Sequence, residues 1–272
     1  MDESRIKEII SYGREFMKMP IEDPTYQSDQ ELKKEQPPLA KAPMRSRDCA
    51  IDLPINFKNL AIENDFLKVI NDRKSERAYT NELMSLLELS YLLWCSQGVK
   101  EIRGNNYATI RTVACGGARH QFECYMALQA IQGIKDGLYH YLPLTHQIEF
   151  LSEVSDMKGF INEALGGQVW ANKANVNLFY SIVPYRVEWR YGIYAHRVAL
   201  IDSGHITQNV YLAATSIGLG ACAVGYIDGP LLDRVFELNT EEEFIFYACP
   251  AGKVKTNKRV DFDPYDFIIK QR

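Results

Sequence analysis

Helical spacing of apolar residues recurs in several parts of the chain. Four stretches show it, at residues 1–18, about 62–72, from 85 onward and about 194–217. In the third stretch Ser85 and Glu88 stand three positions apart, which is the spacing of a capping box. Gly218 is placed to end the last of these helices, and Pro230 can open a further short helix as its first residue.

Short runs rich in apolar and β-branched residues predict six strands. They lie at residues 123–128, 137–141, 147–151, 175–183, 221–227 and 243–249. A Pro-Leu-Thr turn at 143–145 predicts that the second and third strands form a hairpin. Because strands and helices interleave irregularly, the pattern favours an α+β fold.

The segment before residue 60 differs in composition from the rest. Residues 20–54 hold six of the eleven prolines together with mixed charge, which predicts an extended arm and not a packed element. Such an arm is either disordered or a strap that lies over a partner subunit. The chain therefore divides into an N-terminal helix and proline-rich arm at 1–59 and one core domain at 60–272.

Composition and charge limit the classes of function. A formal net charge of −4 gives no general attraction to nucleic acid. Six cysteines without a CxxC pair indicate free thiols in a reducing cytoplasm, and residues 1–20 lack the apolar core of a secretory signal. Residues 206–227 carry no charge over 22 positions, but their polar residues and glycines favour a buried helix followed by a buried strand over a membrane span.

Two segments carry groups suited to a bound ligand. Residues 73–77 place three cations and a hydroxyl within five positions, and guanidinium forks bind phosphate oxygens bidentately. The alternative is a solvated helix end, since cations suit a helix C-terminus. Residues 111–120 contain Gly116, Gly117 and Ala118, whose minimal side chains let backbone lie against a flat ligand or simply form a loop.

A third glycine cluster, at 218–225, follows a helix and precedes a strand. A dinucleotide-binding loop runs in the opposite order, from strand to helix, so no nicotinamide Rossmann site is predicted. The sequence contains neither a Gly-x-Ser-x-Gly elbow nor a His-Glu-x-x-His zinc helix, so no metal site is predicted. His205 is interpreted as a packed, hydrogen-bonded residue, and Cys115 has no visible base that would activate it.

Taken together, these segments resemble the nitroreductase-like superfamily of FMN-dependent flavoproteins, and most of all its thiazole/oxazole-dehydrogenase-type branch. The matching stretches run in family order over about residues 60–260: RKSER at 73–77, LxxLLWCxQG at 89–98, RTV at 111–113, GGARH at 116–120, GLYHY at 137–141, ALIDSGHIxQNxYLAA at 199–214 and GLGAC at 218–222. The resemblance implies a mixed, mainly antiparallel sheet flanked by helices. It also implies a homodimer that binds FMN between its two subunits.

The resemblance assigns roles to individual residues. The expected FMN-binding residues are Arg73, Lys74, Ser75, Arg77, Cys115, Gly116, Gly117, Ala118, Val224, Gly225, Lys258 and Arg259. The first four would hold the phosphate and the polar edge of the flavin, and the loop at 115–118 would come from the partner subunit. Val224 and Gly225 would cover one face of the ring, with a backbone N–H near Gly225 reaching N5. Arg259, or else Lys258 or Lys253, would close the phosphate site.

Two departures from the family pattern bear on the chemistry. Ala114 and Cys115 stand where the superfamily commonly has Pro-Ser. Azoline-oxidising members carry a Lys-Tyr pair before the long helix, where this chain has Arg190 and Tyr191. Arginine is a poor general base, which argues against azoline oxidation, whereas Tyr191 can still donate or accept a proton. Arg190 and Tyr191 are therefore the candidate catalytic residues.

The resemblance implies an FMN-dependent oxidoreductase with ping-pong kinetics. NADH or NADPH would deliver hydride to flavin N5, and a small acceptor of the nitroaromatic or quinone type would then take the electrons. Two alternatives remain: a dehydrogenase that oxidises a modified peptide within a biosynthetic complex, and a flavin-binding partner protein without turnover. Gly204 within the long helix hints at dimerisation, because glycine costs about 1 kcal/mol there unless close packing, with a partner or within one subunit, repays it.

Overall fold

The computed structural model describes residues 2–18, 25–80, 82–255 and 263–272. Its α-helices are α1 (Glu3–Met17), α2 (Phe66–Asp72), α3 (Leu86–Gln97), α4 (Met157–Ala164), α5 (Pro184–Tyr191), α6 (Ala195–Ser216), α7 (Gly229–Val235) and α8 (Asp266–Gln271). Its strands are β1 (Ala50–Asp52), β2 (Val99–Arg103), β3 (Ala108–Arg111), β4 (Phe122–Leu128), β5 (Gly137–Leu142), β6 (Gln147–Ser152), β7 (Val176–Ile182), β8 (Leu219–Ala221) and β9 (Phe244–Lys253).

Seven of these strands form one sheet in the order β1-β6-β5-β4-β7-β9-β8. Each neighbouring pair in it is antiparallel, and β2 and β3 form a separate antiparallel hairpin. Helices α3 and α6 pack on one face of the sheet, and α4 and α7 pack on the other. The predicted α+β fold, with a mainly antiparallel sheet flanked by helices, is confirmed.

Strand β4 shows how the sheet builds two cores from one stretch of sequence. Successive side chains of a strand point to opposite faces, so Cys124 and Met126 join the core beneath α3 and α6. Tyr125 and Ala127 join the core on the other face, with α4 and α7. Because both faces are covered, every residue of β4 is buried, including the charged Glu123.

Local signals in the sequence placed several elements well. The capping box of α3 is present, since the Glu88 N–H donates to Ser85 Oγ at 3.2 Å and the Ser85 N–H donates to the Glu88 carboxylate at 2.8 Å. Helix α6 agrees with the prediction for 194–217, and Gly218 follows it with a φ of +73°. The hairpin of β5 and β6 and the proline at the start of α7 are also confirmed.

Two predicted elements differ from the structure. The helix predicted at 62–72 begins only at Phe66, because Asp65 caps it and accepts the Lys68 N–H. The strand predicted at 221–227 is wrong: β8 ends at Ala221, and only Val224 bridges β9 again, opposite Ala248.

None of the described helices combines the length and apolarity that a bilayer crossing requires.

The prediction that residues 20–54 form an unpacked arm is also wrong. Strand β1 lies within this segment and pairs with β6 at the edge of the sheet. Elsewhere in the arm, Ser28, Ala40 and Leu53 are buried. Buried carboxylates on the sheet hold its backbone, since Glu123 accepts the Lys41 N–H at 2.6 Å. The arm is therefore part of the packed domain in the residues that the structure describes.

Candidate functional site

The cationic run at 73–77 lies directly beside β8. Ser75 bridges Ala221, and the Glu76 N–H donates to the carbonyl of Ala221 at 2.9 Å. Arg73 occupies the position that ends α2. The structure therefore brings together two segments that the sequence analysis selected independently, the phosphate candidate and the third glycine cluster.

Tyr211, near the end of α6, organises this corner. Its hydroxyl accepts the Ala223 N–H at 2.7 Å and lies 3.1 Å from Ser75 Oγ. The Arg73 guanidinium lies over its ring, 5.5 Å from the centroid. The Cys222 and Val224 N–H groups still donate to the β9 carbonyls of Pro250 and Ala248, but Pro250 has no N–H to donate in return, so the ladder is interrupted after β8.

The two arginines of the run keep their charge available. Arg77 lies over the Trp170 ring at 5.6 Å, and Lys74 pairs with Glu76 at 3.0 Å. Among the described residues, no carboxylate oxygen lies within 4.0 Å of Arg73 or Arg77. A phosphate is the type of group that two such guanidiniums and the exposed Ser75 hydroxyl would bind.

The glycines that follow differ in what surrounds them. A Cβ added to Gly220 would lie 2.5 Å from Glu76 Cβ, so this glycine permits the close approach of the cationic run. A Cβ added to Gly225 would have no atom of the described residues within 4 Å, and Val224 beside it is buried. The chain therefore leaves free space against Gly225, which a flat ligand could occupy.

The second glycine loop, at Gly116–Ala118, lies near the start of α6. Asp202 holds it by accepting the Gly116 N–H at 3.0 Å. A Cβ added to Gly117, whose φ is +56°, would lie 2.4 Å from Arg190 Cδ and 2.9 Å from the Tyr191 hydroxyl. The structure thus places both candidate catalytic residues, Arg190 and Tyr191, directly on this loop.

Cys115, at the entrance to the loop, is not set up as a nucleophile. Its thiol donates to Asp202 at 3.2 Å and accepts the His120 N–H at 3.1 Å. Burial, assisted by the Asp202 charge, raises the pKa of Cys115 to about 12. A thiol in this state holds its proton at neutral pH, so its role is to anchor the loop.

Within one chain the two groups of residues do not meet. Tyr211 belongs to the group at 73–77, whereas Asp202 belongs to the group at 115–118, and α6 separates them by roughly 13 Å along its axis. The structure therefore does not place Cys115, Gly116, Gly117 or Ala118 beside the cationic run of the same subunit. Lys258 and Arg259 lie outside the described residues.

The side of α6 that faces away from the sheet is open. Leu200 and Ile201 are 53% and 51% exposed, and no atom of the part of the chain that the structure describes lies within 4 Å of a Cβ added to Gly204. Close packing within one subunit therefore does not explain this glycine. The interpretation of His205 as a packed residue is wrong, because its side chain is 47% exposed on the same face and lies 3.5 Å from Asp202.

Sequence reasoning missed Tyr211 and Asp202 as organising residues. Asp202 did carry a signal, since it is the single carboxylate of this helix, and such a group needs hydrogen-bond donors when it is buried. Tyr211 carried none, because its role depends on the fold of residues 73–75 against the end of α6.

Comparisons with known proteins identify the family to which the core belongs. The nitroreductase family model matches residues 70–253. The nitroreductase homologue MJ1384 of Methanocaldococcus jannaschii is 31% identical over 213 residues, which cover 75% of this chain and 96% of that protein. The microcin B17-processing protein McbC of Escherichia coli is 29% identical over 92 residues, 34% of each chain.

A crystal structure of a nitroreductase homologue from Ralstonia eutropha superposes with a TM-score of 0.62 at 24% identity, covering 82% of this chain and 97% of that one. This match supports the fold, and the family model together with MJ1384 supports common ancestry over the core. The chain belongs to the nitroreductase family of oxidoreductases.

Proposed function

We propose that the protein is an FMN-dependent oxidoreductase that acts as a homodimer. The observation that carries the proposal is the pair Arg73 and Arg77, which have no carboxylate partner within 4.0 Å among the described residues and belong to a segment that bridges Ala221, four residues before Gly225. These groups fit the phosphate and the flat ring of FMN. When bound, FMN would accept a hydride from NADH or NADPH and pass the electrons to an acceptor.

Different residues of the chain would bind different parts of FMN. Arg73, Ser75 and Arg77 would bind the phosphate, with Lys74 near the polar edge of the flavin. Val224 and Gly225 would lie against one ring face, and a backbone N–H there would donate to the flavin. Lys258 or Arg259 would add charge at the phosphate.

Dimerisation would complete the site, because α6 separates its two halves. Two copies of α6 that cross antiparallel at Gly204 would bring Tyr211 of one subunit level with Val198 of the partner subunit, since each lies six or seven residues from Gly204. Val198 touches the glycine loop, as its Cγ1 lies 2.5 Å from a Cβ added to Gly116. The loop, with Arg190 and Tyr191, would then face the cationic run of the other subunit.

Tyr191 is the candidate for proton transfer to the acceptor. Its hydroxyl lies on the glycine loop and would face the acceptor across the flavin. Arg190 supplies charge beside it. Apolar groups around the loop would exclude water and hold the acceptor in position. The six unpaired cysteines fit a cytoplasmic location, where thiols stay reduced.

A spectrum tests the cofactor directly. The purified protein should be yellow or take up one FMN per chain, and Arg73→Ala or Ser75→Ala should weaken FMN binding roughly tenfold or more through the loss of a hydrogen bond to charge. Arg45→Ala, at a surface pair with Glu237, is the control for a lost cation. A colourless wild-type protein that takes up no FMN would falsify the proposal.

Two further measurements separate the alternatives. Rapid reduction of the bound flavin by NADH or NADPH in a stopped-flow instrument would exclude a binding partner without turnover. The similarity to McbC favours a second candidate, oxidation of a modified peptide, which predicts slow turnover with free acceptors. Light scattering should give the mass of two chains, and a monomer at micromolar concentration would contradict the shared site.

A further inference from the structure

Two arginines lie beside the glycine loop, and within the described residues they donate hydrogen bonds only to uncharged groups. Arg119 is only 5% exposed, and it donates to the carbonyls of Gly117 at 3.0 Å and Tyr107 at 2.7 Å. Arg190 donates through Nη1 to the Tyr107 hydroxyl at 2.8 Å and to Gln30 Oε1 at 3.2 Å. All of these partners are neutral. Among the described residues, no carboxylate oxygen lies within 4.0 Å of either guanidinium.

Both side chains are held firmly in place. The Arg119 guanidinium lies over the Tyr107 ring at 4.7 Å and the Trp189 ring at 5.3 Å. Gln30 donates to the Tyr107 hydroxyl at 2.8 Å, and its backbone N–H donates to the Trp189 carbonyl at 2.8 Å. The arm, the β2–β3 hairpin and α5 thus hold both guanidiniums in place. Their conformational entropy is already lost in the free protein, so a ligand does not have to order them.

The electrostatics of this pair favour an anion. A guanidinium removed from water without an opposite charge is unfavourable, and two neighbouring cations repel each other. Burial, with the Arg190 charge nearby, lowers the pKa of Arg119. The acid nearest the loop, Asp202, already accepts the N–H of Gly116 and the amide of Gln121 at 3.1 Å. A bound anion would supply the missing charge.

Arg190 is the member of the pair that can touch a ligand. It is partly exposed, and among the described residues its Nε and Nη2 groups have no hydrogen-bond acceptor. The fork formed by Nε and Nη2 matches the two oxygens of a carboxylate. Arg119, which is nearly buried, would not touch the ligand, but its charge would add to the positive potential around Arg190.

We propose that Arg190 and Arg119 form a subsite for an anionic oxygen group of the acceptor, so that the protein prefers acceptors that carry a carboxylate or a similar anion. This inference rests on the proposed function, since it places the acceptor beside the glycine loop. It gives Arg190 a substrate-binding role. A general base at the same position would gain and lose a proton during the reaction, whereas Arg190 keeps its positive charge throughout. It also makes Gln30 a positioning residue, because Gln30 and Tyr107 together orient the Arg190 guanidinium.

The test uses a matched pair of acceptors, 4-nitrobenzoate and 4-nitrobenzamide, which differ in charge and little in shape. With the FMN-loaded protein and NADH or NADPH, kcat/KM for the benzoate should exceed that for the benzamide by about tenfold or more. Arg190→Gln should bring this ratio close to one. Arg190→Lys, which keeps the charge, should retain most of the preference, and Gln30→Ala should reduce it partly. Arg45→Gln, which removes the same charge at the surface, should leave the ratio unchanged.

Two measurements on the wild-type protein keep the proposal testable if a variant does not fold. Calorimetric titration without reductant should show tighter binding of 4-nitrobenzoate than of 4-nitrobenzamide. Higher salt concentration should narrow the difference between the two acceptors, because mobile ions screen the charge.

The outcomes separate this inference from the proposed function. Equal kcat/KM for the two acceptors in an active flavoprotein would overturn the anion subsite and leave the oxidoreductase intact. A loss of FMN affinity in Arg190→Gln with an unchanged acceptor ratio would also overturn it, since the charge would then serve the cofactor. Failure of the wild-type protein to bind FMN at all would overturn the proposed function first.

Discussion

The side chain of Glu123 joins the arm to the sheet, and its neutralisation should destabilise the protein strongly. Its carboxylate is fully buried, and one oxygen accepts Arg186 Nη2 at 2.6 Å as well as the Lys41 N–H at 2.6 Å. The other oxygen lies 3.6 Å from His140 Nε2. Burial opposes ionisation, but Arg186 and His140 outweigh it, so the pKa of Glu123 lies well below its usual range.

The magnitude follows from this environment. Glu123→Gln keeps the volume but removes the charge, which leaves Arg186 buried with only 4% exposure and without its carboxylate. Breaking a buried ion pair from one side costs about 3–5 kcal/mol. For a chain of this size that loss corresponds to a decrease in Tm of roughly 6–20 °C.

Urea unfolding at pH 7 and fixed protein concentration measures the effect. Glu123→Gln/Arg186→Met removes the Arg186 charge together with its carboxylate partner, so the double variant should lose clearly less stability than the sum of the two single variants. Glu237→Gln, whose carboxylate is 62% exposed and pairs with Arg45, is the matched control and should cost less than about 1 kcal/mol. A loss below about 1 kcal/mol in Glu123→Gln would refute the reasoning that Arg186 depends on Glu123 as its buried counter-charge.

Three further predictions concern the site and its titration. Gly225→Val should leave the Tm of the apoprotein within roughly 1 °C of wild type, yet it should lower FMN affinity tenfold or more. Gly220→Ala should lower the Tm by several degrees, because its new Cβ meets Glu76 Cβ at 2.5 Å. Burial lowers the pKa of His120 to about 3, so below pH 6.5 the unfolded chain binds a proton that the folded protein does not. The free energy of unfolding should then fall by up to about 1.4 kcal/mol per pH unit through this group, and His120→Asn should remove that slope in urea titrations. The raised pKa of Cys115 predicts that iodoacetamide modifies it at least about tenfold more slowly in the native protein than in urea, as mass spectrometry would show.

Each of these predictions has a contrary result. Wild-type FMN affinity in Gly225→Val would mean that the flavin ring does not lie against that glycine. An unchanged slope in His120→Asn would mean that the imidazole is not protected from protonation. Fast labelling of native Cys115 would indicate a thiolate, and the loop would then need a catalytic interpretation.

The elements that the sequence predicted well depend on local interactions. Ser85 and Glu88 cap α3 within a single turn, and the period of α6 is visible over six turns of helix. The β2–β3 hairpin was missed although Gly104 and Asn105 both adopt positive φ and are typical turn residues. Four of the five β2 residues are exposed, so no apolar alternation marked this strand.

The packing of the arm could not be predicted from local interactions. Its composition is that of a linker, and the groups that hold it are distant in sequence: Glu149 accepts the backbone N–H groups of Met44 and Arg45, each at 2.9 Å. A glutamate within a strand gives no indication that a loop more than a hundred residues earlier will cover it. For the same reason Gln30 could not be connected with Arg190 before the fold was known.

The length of α6 accounts for what the sequence could and could not indicate about the site. The run at 73–77 and the loop at 115–118 each carried a chemical signal of their own, and the resemblance joined them into one cofactor site. The structure places them at different levels of a 22-residue helix, so they do not meet within one chain. If the proposed dimer forms, the open face around Gly204 sets the register between the halves. A bulky residue there, as in Gly204→Leu, should then weaken FMN binding from a distance, while Gly13→Leu, which also has free space around its Cβ, should not. Equal FMN affinity in both variants would mean that the two halves are not joined through α6.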